Sequence, residues 1–326
     1  MITPERSPAV NRARALRAGY LHHARDKRLA SMLRELVDNV EACREGLGSR
    51  RRALFLVGAS GSGKSYALRH HFSLIPELQP WTNEYGETVR PLLSIEAPKP
   101  CTAKDFAIAI LQAIGVPSSN KMTEGQLFAT VKAQLRERGI VFLHVDEAQH
   151  LLRHASSRAV ADVQDRLKSL MQIDDWPLHT IYSGVPQLAE LLEGDPQLVN
   201  RSMVMRFIPL SMPSDRSIVM EVLTDIVVGR CGLKMSEGIQ ADDFLGRLCA
   251  ASGGCYGRII EAVQAACSLV MQKEKDTVDV RAFAHGYQTN TGCLPGDNIF
   301  TAARWSEIDP ANALTDLVHS GRRAAR

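Results

Sequence analysis

Lys64, Ser65, Asp146 and Glu147 are the side chains best suited to chemistry here, and each follows an apolar run. Ala53-Leu54-Phe55-Leu56-Val57 leads directly into Gly58-Ala59-Ser60-Gly61-Ser62-Gly63-Lys64-Ser65. That stretch satisfies G-x-x-x-x-G-K-[ST] at every position, with a strand before it and a helix expected over 65–72 after it. The glycines let the backbone curl so that successive N–H groups converge on phosphate oxygens, and the helix presents its positive N-terminal end to them. Lys64 would reach the β- and γ-phosphates of a bound nucleotide, and the Ser65 hydroxyl would ligate Mg²⁺. The expected ligands are therefore ATP and Mg²⁺.

A second motif is Ile140-Val141-Phe142-Leu143-His144-Val145-Asp146-Glu147-Ala148-Gln149-His150-Leu151-Leu152. A nearly continuous apolar strand that ends in two carboxylates fits a parallel sheet covered on both faces, whose ligands sit at the strands' carboxyl ends. Asp146 would share the metal shell with Ser65, and Glu147 would polarise an attacking water as general base. Further along, Leu178-His179-Thr180-Ile181-Tyr182-Ser183-Gly184 is another strand, and it places Ser183 to sense the γ-phosphate, although Ser-Gly after a strand is equally a plain turn. Arg201 and Arg206, expected just before a last strand, are candidates for a finger delivered to a neighbour's phosphate, or else form surface ion pairs. Arg258 opens a later helix, where a cation opposes the dipole and so suits a nearby anion.

The elements that must hold these groups follow from periodicity. Leu29, Met32, Leu33, Leu36, Val37 and Val40 lie at helical spacing over 28–40, an amphipathic helix expected to pack beside the nucleotide domain. The segment before it, with Tyr20, His22 and His23, is expected to be an extension able to reach a neighbouring subunit. Residues 76–90 read as loop and 91–97 as a buried strand ended by Pro98-Lys99-Pro100. Thr102 caps a helix to 114, and Thr123-Glu124 opens another to about 138. A helix over 160–173 and a short one over 186–192 complete an alternation of strand and helix. From Pro213 helices dominate, at 216–229, 242–251, 256–272 and 280–287, and residues 289–326 lack periodicity. Phe300 and Trp305 in that last stretch would either anchor a partner or fold back on the body.

Composition narrows the class. With 45% apolar and 23% charged residues the 326-residue chain has ordinary globular usage and can bury a sizeable core. No run of about eighteen apolar residues occurs, and the Arg-rich N-terminus carries no apolar signal segment, so a cytoplasmic protein without a membrane partner is expected. The seven cysteines show no C-x-x-C spacing, which argues against a disulfide framework or a zinc site. A net charge of +3 does not by itself require nucleic acid, but basic residues cluster over 12–28, at Arg51-Arg52 and at the C-terminal end.

The order of these motifs resembles that of AAA+ ATPases over about residues 50–288. The resemblance implies an α/β AAA+ P-loop domain, its parallel sheet flanked by helices, followed by a small all-helical lid. The expected organisation is an N-terminal helical extension at 1–49, the nucleotide-binding domain at 50–211, the lid at 212–288 and a tail at 289–326. Ser183 then stands at the first sensor position, where many AAA+ proteins use Asn or Thr, and Arg258 at the second. Arg201 or Arg206 is the finger, with Arg206 preferred because Met205-Arg206-Phe207 resembles the x-Arg-Phe before the last strand of related initiators.

Within AAA+ proteins, Val145-Asp146-Glu147-Ala148-Gln149-His150-Leu151-Leu152 looks most like the TniB and TnsC type of transposition ATPase, related to Mu B. That implies an ATP-dependent regulator, forming a ring or filament on target double-stranded DNA, that recruits a transposase and works with a TniQ-like adaptor. Its hydrolysis would be slow and would control assembly and disassembly. By the same resemblance Lys99, Lys104, Lys121 and Thr123 would contact DNA phosphates. Two other classes compete. A secretion-type ATPase would be expected to carry a membrane span, and a replication initiator or helicase loader a helix-turn-helix after the lid.

Overall fold

The computed structural model of the protein describes residue 16, residues 19–152 and residues 157–310. The basic residues at the C-terminal end, and Arg12, Arg14 and Arg17 of the N-terminal cluster, lie outside the described residues. By their contacts the described residues form two units, Ala24–Ser60 with Lys64–Phe207, and Ile208 onward with Gly61–Gly63 and the N-terminal residues up to His23.

The first unit is built on a five-stranded sheet of β1 (Ala53–Gly58), β4 (Leu92–Glu96), β5 (Phe142–Asp146), β6 (His179–Gly184) and β7 (Ser202–Phe207). The order is β4-β5-β6-β1-β7 and every pairing is parallel. β1 and β6 are buried along their whole length; β1 reads as an unbroken apolar run, whereas β6 also buries His179, Thr180 and Ser183. The edge strand β7 alternates instead: Met203, Met205 and Phe207 point inward, Val204 and Arg206 outward. β7 begins at Ser202, so Arg206 lies within this strand rather than before it.

Helices α1 (Arg25–Arg44), α2 (Lys64–Leu74), α3 (Ala103–Ala113), α4 (Glu124–Glu137), α5 (Ser157–Leu170) and the short α6 (Pro196–Asn200) belong to the same unit. α1 buries Leu29, Leu33, Leu36, Val37 and Val40, the stripe its spacing predicts. Asn39 on the same helix accepts the Ser49 N–H (2.6 Å) and bonds His179 Nε2 (2.8 Å), fixing the approach to β1 beside the start of β6. α3 and α4 both open with complete capping boxes, Thr102 with Asp105 and Thr123 with Gln126. Between α2 and β4, where sequence suggested only loop, β2 (Trp81–Thr82) and β3 (Thr88–Val89) form a small antiparallel hairpin. Asn83 closes it by accepting the N–H groups of Tyr85 (3.0 Å) and Glu87 (2.8 Å).

The second unit is mainly helical: α7 (Arg216–Thr224), α8 (Asp242–Ala251), α9 (Tyr256–Gln272) and α10 (Val280–Thr291), with a two-residue parallel pair of β8 (Lys234–Met235) and β9 (Thr277–Val278). α7 continues into a π-helical segment, Asp225–Arg230, where an uninterrupted α-helix was expected. Ile299 and Phe300 are buried in this unit's core, Phe300 meeting Phe244 and Phe283 at ring distances of 5.7 Å. Trp305 donates its indole N–H to Asp243 (2.9 Å) on α8. The stretch around them therefore folds back on the body. Residues 19–22 are held on this unit: Arg230 donates to the carbonyls of Gly19 (2.9 Å) and Tyr20 (3.0 Å), and the Tyr256 hydroxyl donates to that of His22 (3.1 Å).

Candidate functional site

β1 ends at Gly58 and the loop that follows turns through Gly61 (φ +78°) and Gly63 (φ +91°), left-handed positions that a side chain would strain. α2 starts at Lys64, so the first helical N–H groups face the loop. Lys64 is buried, and its ammonium donates to the carbonyls of Gly58 (2.8 Å) and Ala59 (3.0 Å). Ser60 and Gly61 are exposed and Ser62 is buried.

Asp146 closes β5. Its carboxylate accepts the Ser183 hydroxyl (2.6 Å) and the Glu147 N–H (3.0 Å), and it is hydrogen-bonded to Ser65. Burial by itself pushes this carboxyl up, but the hydrogen bonds from Ser183 and Ser65, with His144 and the Glu147 N–H adding to them, outweigh that and hold it below the usual carboxylate range. An ionised carboxylate touching a hydroxyl at the start of α2 suits Mg²⁺, which takes one or two protein oxygens and keeps its other positions for phosphate and water. Among the described residues no cluster of three or more His, Cys, Asp or Glu could cage a metal alone.

Ser183 is tied down more firmly than its sequence suggests. Because Asp146 only accepts, the Ser183 proton points at it, and His144 Nε2 (2.9 Å) must donate to Ser183 in turn. His144 Nδ1 is then the acceptor for the Ser94 hydroxyl (2.7 Å). A single directed chain, Ser94 to His144 to Ser183 to Asp146, crosses β4, β5 and β6. In this geometry the Ser183 hydroxyl serves Asp146 rather than facing outward. His144 and Ser94 escape sequence reasoning, although a histidine breaking an apolar run two residues before Asp146, hence on the same strand face, is the available signal.

Glu147 has a left-handed backbone (φ +53°) and a partly exposed side chain. Arg206 is exposed on the outward face of β7, and its guanidinium has no hydrogen bond or ion pair among the described residues. Arg201 caps α6, and with the Gln172 amide oriented to suit both groups its two terminal nitrogens donate to Gln172 Oε1 (2.9 and 2.7 Å). In the second unit, which includes Gly61, the Arg258 N–H donates to the Gly61 carbonyl (3.2 Å). Of the residues expected at DNA, Lys99 pairs with Glu96 (3.1 Å), Lys104 donates to the Asn120 carbonyl, and Thr123 is the α4 cap. The Lys121 ammonium is exposed and takes no partner among the described residues.

Residues 44–192 match the family described as "AAA domain". By that match this stretch is similar to AAA domains. Its structural neighbours agree on the fold. A Cdc6p from Pyrobaculum aerophilum is 16% identical with a TM-score of 0.54, over 88% of this chain and 75% of that one. The ORC2 protein of Aeropyrum pernix, solved with ADPNP and ADP, is 16% identical with a TM-score of 0.55, over 84% and 71%. The ORC1 protein of Aeropyrum pernix, solved in complex with DNA, is 16% identical with a TM-score of 0.55, over 88% and 74%. No curated protein matches the sequence significantly. Among the described residues no helix is long and apolar enough to cross a membrane.

The sheet that carries Asp146 and Ser183 also holds two buried imidazoles that stay neutral. Burial depresses His144 to about 4, partly opposed by Asp146, and depresses His179 to about 4 although its bond to the Pro177 carbonyl opposes the shift. A histidine whose folded pKa lies below its unfolded value of about 6.5 contributes stability that is complete above that value and lost as pH falls toward 4, roughly 3 kcal/mol for each. Urea titrations between pH 7 and 5 should show stability falling with up to about two protons taken up on unfolding. His144→Gln should reduce that uptake by about one, and an unchanged slope would mean that His144 is charged in the fold.

Proposed function

We propose that this chain is an ATP-hydrolysing, DNA-binding regulator of transposition that assembles on duplex DNA and recruits a transposase, with nucleotide state controlling assembly. The observation that carries this reading is a site complete on one side only. Lys64, Ser65 against Asp146, and Glu147 are all in one unit, and an arginine for the transferring phosphoryl group would come from a neighbouring copy. Arg206, exposed on edge strand β7, is the group a neighbouring copy would supply. Mg²⁺ held by Ser65 and Asp146 would neutralise phosphate charge, Glu147 would accept a proton from water, and Ser183 would fix the Asp146 carboxylate.

Assembly on DNA is supported by the Aeropyrum ORC1 protein, which shares the fold and was solved with DNA. The transposition assignment, with its transposase and TniQ-like adaptor, rests on the Asp146-Glu147-Ala148-Gln149-His150 phrase. Lys99, Lys104 and Lys121 would meet phosphates, so affinity should fall steeply with salt and vary little with sequence. A replication initiator, which the Cdc6 and ORC likeness brings to mind, would instead favour particular duplexes.

Glu147→Gln tests this reading. The variant should bind ATP normally, hydrolyse it about 10²- to 10⁴-fold more slowly and stay assembled on DNA in electron micrographs while the parent protein dissociates. Hydrolysis at the parent rate would remove Glu147 as the base. Strong preference for one duplex among random competitors would favour the initiator reading.

A further inference from the structure

Glu147 is held in a strained place by its own chain. A left-handed φ of +53° is uncommon for a residue with a long side chain, and such backbone persists where the surroundings enforce it. Gln149 is what its carboxylate meets: Gln149 Nε2 donates to Glu147 Oε2 at 2.6 Å. The other end of the same amide is also used, since Gln149 Oε1 accepts the Val185 N–H at 3.2 Å, one residue beyond the end of β6. Gly184 leaves the room for this arrangement, because a Cβ there would overlap Gln149 Oε1. His150 Nε2 lies 3.8 Å from the same Glu147 oxygen, too far for a hydrogen bond, so the short contact to that oxygen comes from Gln149.

We propose that Gln149 is the positioning residue for Glu147: its amide, anchored on the backbone at the end of β6, fixes the carboxylate that accepts the proton from water. The proposal rests on Glu147 being the base. A base needs a third group to orient it, and an amide does this without competing for the proton. The bridge also joins Glu147 to the strand end that carries Ser183. The two carboxylates of the β5 terminus are thus both registered on β6, Asp146 through the Ser183 hydroxyl and Glu147 through Gln149 and the Val185 N–H. Displacement of the β6 end would disturb both together.

Three variants separate positioning from packing, each assayed as the full chain with ATP, Mg²⁺ and duplex DNA after melting curves confirm folding. Gln149→Glu keeps the shape and the acceptor for Val185 but removes the donor; its kcat should fall about 10- to 100-fold with KM within about twofold. Gln149→Ala should lose as much. Gly184→Ala should reproduce the loss by displacing the amide, yet add little to Gln149→Ala, because the atom it displaces is then gone. A kcat of Gln149→Glu equal to that of the parent protein, or fully additive losses in the double variant, would overturn the assignment. Glu147→Gln run beside them keeps the two readings apart. If it too hydrolyses at the parent rate, Glu147 is not the base; if it is slow while Gln149→Glu is fast, only the positioning role fails.

Discussion

Lys64→Ala is expected to abolish ATP binding and, with it, assembly on DNA. The Lys64 ammonium is buried and donates to the Gly58 and Ala59 carbonyls, so it braces the loop from within. When ATP binds, the same cation would meet phosphate oxygens, and charge-assisted hydrogen bonds of this kind are worth about 1.5–3 kcal/mol each. Losing two of them weakens affinity by at least about 100-fold, and the loop loses an internal brace as well. Titration with a fluorescent ATP analogue would measure the loss, and pelleting with duplex DNA would measure the consequence. Normal DNA assemblies formed by Lys64→Ala without nucleotide would sink the idea that ATP is the switch. Melting curves should change little, because residual unfolding would otherwise mimic lost binding.

That the loop could be found at all reflects how local its determinants are. A phosphate loop needs glycines at fixed offsets between a strand and a helix, and all of that is written within residues 53–72. The capping boxes at Thr102 and Thr123 are legible for the same reason, since cap and N3 partner are three residues apart. The relay from Ser94 through His144 and Ser183 to Asp146 is not local: it exists only because β4, β5 and β6 lie side by side in a register that pairs Ser94 with His144. Hydrophobic periodicity ranks His144 as an interruption of a strand and says nothing about its partners. Phe300 stood out only as an aromatic in an irregular stretch, with its place left open, and Ile299 not at all, because two buried residues in irregular backbone have no period to detect. The segment Asp225–Arg230 shows the converse problem, an apolar pattern that suits α- and π-helix about equally well. At Asn83 a turn signal was present, but the two-residue strands it joins are too short to show alternation.

Arg206→Ala should reduce ATP turnover by about 10³- to 10⁵-fold, equivalent to roughly 4–7 kcal/mol of transition-state stabilisation, without weakening ATP binding to the isolated chain. The geometry of β7 is what separates it from Arg201. Alternation along an edge strand sends Met205 and Phe207 into the core and leaves Arg206 outward, where its guanidinium has no hydrogen-bond or ion-pair partner among the described residues. Arg201 is committed within its own chain to Gln172. A finger must be free to reach a neighbour and rigid enough to arrive in one place, and a strand residue meets both conditions. Because the arginine and the base would act from different copies, mixing supplies the decisive measurement. Arg206→Ala and Glu147→Gln should each be nearly inactive alone, whereas a mixture should recover part of the activity at interfaces where an intact Glu147 faces an intact Arg206. Absence of recovery in mixed assemblies would exclude action across the interface. Full activity of Arg206→Ala beside an inactive Arg201→Ala would move the finger to the shorter reach of the α6 cap.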